Sequence, residues 1–141
     1  MDDLQIKDQE RKKRYLKRYK KNLALIYRLE NKLDDLNERI YKIKSPNYSA
    51  MPKGSKPVEV SDLISDKNEL KTRIERLRKK GETLKAETLE IIDDLDDVRY
   101  AEICESFFID CKSLEDIAED MGYTIRHVTR LYSEAISQMS I

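Results

Sequence analysis

The chain has 141 residues, enough for one ordinary domain or for an extended element with a small module attached. Charged residues make up 40 % and hydrophobic residues 39 %, a balance that suits long amphipathic helices, and only three glycines and three prolines are present, which excludes a many-stranded fold with its repeated tight turns. The formal net charge is zero, yet residues 1–44 carry 14 Lys/Arg against 8 Asp/Glu while residues 93–141 carry 4 against 12, so the two ends are electrically opposite.

The expected fold class is all-α: a long antiparallel helical hairpin (coiled coil) over residues 1–95, followed by a small three-helix module over residues 96–141. The N-terminal stretch MDDLQIKDQERKKR is polar from its start. The longest apolar run, LALI at 23–26, falls far short of the ~20 residues that span a bilayer. No membrane partner is expected, and the cytoplasm is the expected location.

From about Asp8 to Lys44 neither Gly nor Pro occurs. Apolar residues recur in steps of three and four at Leu16, Tyr19, Leu23, Ile26, Leu29, Leu33, Leu36, Ile40 and Ile43, predicting one continuous helix roughly 55 Å long. Pro46, Pro52, Gly54 and Pro57 mark residues 45–57 as a loop.

A second helix is expected from about Val58 to Leu95. Val60, Leu63, Lys67, Leu70, Ile74, Leu77, Gly81, Leu84, Thr88, Ile91 and Leu95 keep a seven-residue register, the seam of a coiled coil. Gly81 falls on that seam; a continuous helix with a weak point there is favoured over a helix end. Of the acidic cluster Asp93, Asp94, Asp96 and Asp97, the last suits the cap of a helix over 98–110, with Val98, Ala101, Ile103, Phe107 and Phe108 available for a small core.

Ser113 is placed to cap a helix over Leu114–Met121, with Asp116 three residues on. Leu114, Ile117, Ala118 and Met121 share one face; Glu115, Asp116, Glu119 and Asp120 share the other. Gly122 supplies the positive φ of a turn, and Thr124 caps a last helix with Val128, Leu131 and Ala135 inward. This is the layout of a DNA-reading helix-turn-helix. Arginine can bind guanine with two hydrogen bonds or grip a phosphate, and Ile125 or the Thr129 methyl can meet a thymine methyl. Thr124, Ile125, Arg126, His127, Thr129, Arg130 and Ser133 are therefore the candidate DNA-binding residues. The alternative is a bundle whose arginines merely pair with Glu134 or with solvent. Arg11, Lys12, Arg14, Lys17, Arg18 and Lys21, with Tyr15 and Tyr19 interleaved, are candidate phosphate contacts, against the plainer reading of a solvated helix face.

The segments "YSAMPKGS", "IDDLDD" and "SLEDIAEDMGYTIRHVTRLYSEAI", with the helices that flank them, resemble a family of small bacteriophage proteins of Gram-positive hosts. Their C-terminus is similar to region 4 of sigma-70 factors, and they are grouped with the ArpU and RinA late-gene regulators. Ser113, Ile117, Ala118, Met121, Gly122, Tyr123, Arg126, His127, Val128, Arg130, Leu131 and Ala135 carry the match. The chain departs from the pattern at Phe107–Phe108 (an Arg-Tyr pair in the family), Cys111 (glycine), Val98 (proline) and Tyr132 (histidine). The resemblance implies a transcriptional regulator in the cytoplasm of a bacterial host, with double-stranded DNA as partner and the hairpin serving dimerisation or contact with host RNA polymerase.

The competing reading is a protein-binding adaptor that docks its acidic C-terminal module on host machinery without reading DNA. With one histidine, no glycine-rich phosphate loop and carboxylates spread along solvated helices, no catalytic constellation is expected, nor a cofactor or small-molecule substrate. Cys104, Cys111 and His127 cannot by themselves complete a four-ligand zinc site, so no metal is expected.

Overall fold

A computed structural model describes residues 2–45 and 60–141. The expected loop at 45–57, apart from Ser45, and the expected helix start at Val58 lie outside the described residues. The described residues are all-helical: α1 (Asp3–Leu16), α2 (Arg18–Lys44), α3 (Val60–Asp93), α4 (Val98–Phe108), α5 (Leu114–Met121) and α6 (Ile125–Gln138). None of these helices is long and apolar enough to cross a membrane.

The first long helix is interrupted, contrary to the sequence expectation. Lys17 sits between α1 and α2 with φ −78° and ψ −3°, at the edge of the right-handed helical region, although its N–H still donates to Lys13 O at 2.9 Å and the Lys21 N–H to Lys17 O at 3.0 Å. Beside this turn the Arg18 Nε donates to the Tyr15 carbonyl at 2.9 Å, the kind of side-chain competition for a ladder carbonyl that loosens a helix locally. The guanidinium also lies 3.7 Å from the Tyr15 ring centroid and donates to Glu87 Oε2 at 2.9 Å. α1 starts earlier than its apolar pattern implied. Asp2 accepts from the Gln5 backbone N–H while the Gln5 side chain accepts from the Asp2 N–H, satisfying two otherwise orphaned donors.

By packing, the chain divides into one unit of Met1–Leu23 with Lys80–Ile141 and another of Ala24–Lys79. These boundaries fall inside α2 and α3, whereas the sequence division was drawn at 95/96.

In the unit Ala24–Lys79, Ile26 and Leu29 of α2 bury against Ile74 of α3, with Leu25, Leu33, Leu70 and Leu77 around them. Leu36 and Ile40 bury against Leu63, flanked by Ile43 and Ile64. Rising numbers on α2 meet falling numbers on α3, so these stretches pair antiparallel. The side chains fall on the three-and-four stripes because those spacings keep one face of a helix turned to its neighbour. The Arg78–Glu30 ion pair on the flank is exposed and adds little to stability.

The other unit holds the larger core. Ile103, Cys104 and Phe108 of α4, Ile117 and Ala118 of α5, and Val128, Leu131, Ala135 and Ile136 of α6 are buried together with Leu16 and Ile92. Tyr100 and Cys104 replace Val98 as core residues of α4. Val98 is 68 % exposed because it lies in the first turn, on the opposite side of the helix from the stripe 100, 103, 104, 107, 108. Burial pushes the Cys104 thiol up to about 12, which keeps it protonated and inert.

α3 runs unbroken through Gly81, and the reason a glycine stands there is a close approach. A Cβ at this position would lie 2.6 Å from Asn22 Nδ2. Alanine would gain about 1 kcal/mol of helix propensity but would displace a buried side chain. We expect Gly81→Ala and Asn22→Ala to couple: in chemical denaturation the double variant should be more stable than the two single effects sum to, by at least about 0.5 kcal/mol. Additive effects would show that the close approach does not hold the glycine in place.

Candidate nucleic-acid interface

The local chemistry of the last three helices sets the geometry of the surface. Asp97 caps α4 by accepting from the Arg99 N–H at 2.9 Å, and its hydrogen bonds to Arg99 hold its carboxyl below the usual carboxylate range. Ser113 Oγ accepts from the Asp116 N–H at 3.1 Å, opening α5. Gly122 ends α5 in the left-handed region (φ 70°), where its N–H closes back on Glu119 O at 3.2 Å and the Tyr123 N–H reaches Ala118 O at 2.9 Å. Thr124 Oγ1 then accepts from the His127 N–H at 3.1 Å and starts α6. The starts of α4, α5 and α6 and the end of α5 are each satisfied by a side chain or turn that is local in sequence.

The first two turns of α6 present Thr124, Ile125, Arg126, Thr129 and Arg130 to solvent. Ile125 is 53 % exposed. The Thr129 hydroxyl donates to Ile125 O at 2.8 Å, which leaves its methyl as the group it can offer to a base. Arg130 Nη2 lies 3.0 Å from His127 Nδ1, and its Nε lies 3.9 Å from Glu134. The His127 ring stands edge-on to Tyr123 at 4.9 Å. His127 is thus held between an aromatic ring and an arginine at the margin of the face.

Ser133, further along the same face, is not open to solvent: it is half-buried against α1. Gln9 Nε2 donates to Ser133 Oγ and to Ser133 O, each at 3.0 Å, and to Ser137 Oγ at 2.8 Å. Lys12 is only 7 % exposed; its ammonium lies 3.4 Å from both Ile136 O and Ser137 O and 3.3 Å from Asp8. α6 has no basic residue in its last turn, so α1 supplies the positive charge that the carbonyl end of a helix favours. Arg11 Nη2 donates to Asp8 at 2.8 Å and to Ile141 O at 2.9 Å.

The six candidate phosphate contacts therefore divide. Lys12 is turned into the protein, and Arg11 and Arg18 are engaged with partners in the chain. Arg14 and Lys21 are exposed and Lys17 is half-buried. Two other lysines of this run cover aromatic rings of the C-terminal segment: Lys13 Nζ lies 5.6 Å from the Tyr132 ring centroid and Lys20 Nζ 4.0 Å from that of Phe107. Burial raises the Tyr132 phenol well above its ordinary value.

Gln9 and Ser137, which join α1 to α6, were not singled out by sequence reasoning; the only signal available was the opposite charge of the two ends. The exposed face of α5 carries Glu115, Asp116, Glu119 and Asp120, of which Asp120 pairs with Lys112 at 2.9 Å. Comparison of the chain with protein-family models, with curated proteins and with solved structures found no match.

Proposed function

We propose that this chain is a transcriptional regulator that binds double-stranded DNA through a helix-turn-helix formed by α5, the Gly122 turn and α6. The paired stretches of α2 and α3 act as the coiled-coil hairpin of the fold and serve dimerisation or contact with host RNA polymerase. The observation that carries this reading is the N-terminal half of α6, where Ile125, Arg126, Thr129 and Arg130 are exposed on a helix whose opposite face is buried, Arg130 resting beside His127 and Glu134. Major-groove reading uses the N-terminal residues of such a helix, and the capped αL turn at Gly122 fixes it against its supporting helix. The resemblance to phage regulators of the ArpU and RinA group points the same way, and implies a bacterial cytoplasmic setting without catalysis. Cys111, standing where that group has glycine, holds φ 59°, a backbone region that glycine favours.

The acidity of α5 does not oppose this reading, because its carboxylates and the α6 arginines occupy different surfaces. It does favour a second reading, in which the α5 face docks on a basic protein surface and no DNA is read. The test is selection of bound duplexes from a randomised pool, followed by anisotropy titration at several salt concentrations. Arg126→Ala with Arg130→Ala should weaken binding by roughly 30-fold or more, since each good arginine contact contributes about 1–3 kcal/mol. Absence of binding to any duplex at about 50 mM salt would sink the DNA reading. Polymerase capture that survives the double substitution would favour the adaptor. Light scattering on the free and bound protein reports the stoichiometry.

A further inference from the structure

We propose that α1 is an intramolecular strap across the third turn of the reading face, and that Ser133 is a fourth reading position, which DNA reaches only after α1 lets go. The proposal rests on the DNA reading above. Residues 126, 129, 130 and 133 follow the spacing i, i+3, i+4, i+7, the set that one helix face offers to successive bases. Arg126, Thr129 and Arg130 are exposed, but Ser133 lies under the Gln9 amide. Ser137, one turn further along the same stripe, is held by the same amide. A major groove about 12 Å wide admits one helix, and a helix with its side chains is about 10–12 Å across. α6 therefore cannot seat Ser133 against base edges while α1 rests on it.

The strap is fastened in a way that allows release. Its grip along Gln9, Arg11 and Lys12 is polar, made of hydrogen bonds that water can replace. Its apolar residues Leu4 and Ile6 are 77 % and 47 % exposed and add no seam over α6. The apolar anchor, Leu16, lies at the far end of α1 and can stay in the core while the first turns detach. Release also frees Arg11 and Lys12, two cations that then become available to phosphates. DNA binding and strap release are thus coupled: the apparent affinity is lowered by the fraction of molecules with the strap closed.

The experiment uses the full chain carrying Gln9→Cys, Ser137→Cys and Cys111→Ser, titrated with a selected duplex before and after bridging residues 9 and 137 with a short bis-maleimide. Cys104 is fully buried and stays unmodified. Bridging should weaken binding by roughly tenfold or more, and Gln9→Ala with Ser137→Ala in the native background, which loosens the strap and keeps both freed cations, should tighten it by roughly 3- to 10-fold. Binding only by that released variant would support the strap in its strongest form. Equal binding by the bridged and unbridged chains would overturn the strap while leaving the DNA reading intact. If no form binds any duplex, although hydrogen exchange shows α1 released in the Gln9→Ala/Ser137→Ala variant, the DNA reading and the strap fall together.

Discussion

Phe108→Ala is expected to lower the unfolding free energy by about 3–5 kcal/mol, measured by urea denaturation followed by far-UV circular dichroism. Phe108 is fully buried at the end of α4 and stands edge-on to Phe107, with ring centroids 4.9 Å apart. Its ring also stacks with Tyr132 of α6 at 5.9 Å, while Phe107 meets Tyr132 at 5.0 Å. Truncation removes a large apolar area and leaves a cavity that α4 and α6 cannot both close, because α5 also packs on them through Ile117 and Ala118. Small domains are stable by about 5–15 kcal/mol in total, so the loss should be visible as partial unfolding near 37 °C. Val98→Ala, ten residues earlier on the exposed side, should change stability by no more than about 0.5 kcal/mol. A Phe108→Ala loss below about 1.5 kcal/mol would mean that the three rings do not form the centre of this core.

Leu16→Ala should have the second largest effect, a loss of about 2–5 kcal/mol, and it should appear far from Leu16 in sequence. Leu16 has no exposed surface and belongs to the same cluster as Cys104, Phe108, Leu131 and Ala135. Hydrogen exchange of the α4, α5 and α6 amides should therefore accelerate in Leu16→Ala as it does in Phe108→Ala. Were residues 96–141 an independent domain, the substitution would leave those amides unchanged, and that result would overturn the packing described above. Leu4→Ala is the control, since Leu4 is 77 % exposed on the same helix.

The two substitutions together separate what each end of the chain contributes. Phe107–Phe108 and Tyr132 stand where the phage pattern that the sequence resembles has an Arg-Tyr pair and a histidine. Here those positions form an aromatic cluster covered by Lys13 and Lys20. Lys13 and Lys20 are thus held against the C-terminal segment of the same chain.

Sequence by itself determined the features whose causes lie within four or five residues. The stripes Leu29, Leu36, Ile40 and Leu63, Ile74, Leu84 are buried where their spacing places them. Ser113, Thr124, Asp97 and Gly122 end or open helices where their side-chain oxygens or lack of a Cβ would lead one to expect it. These are short-range matters of helical periodicity and orphaned backbone groups, and the residue types signal them directly. The outward set Ile125, Arg126, Thr129 and Arg130 was legible for the same reason, being the complement of Val128, Leu131 and Ala135 on one helix.

Only the tertiary structure decided the rest. Beside the turn at Lys17, Arg18 finds both a backbone carbonyl and Glu87, a partner 69 residues away. Gly81 is explained by Asn22, and Val98 is excluded from the core by the direction α4 takes from its cap. Above all, Lys12 and Ser133 looked solvent-facing because lysine and serine usually are, yet Gln9 reaches Ser133 and Lys12 reaches the Ile136 carbonyl, each across 124 positions. Hydrophobic periodicity marks which face of a helix is buried but does not identify its partner. Polar contacts such as Gln9 with Ser133 carry no periodic signature at all, so they emerge only when the backbone brings the two helices together.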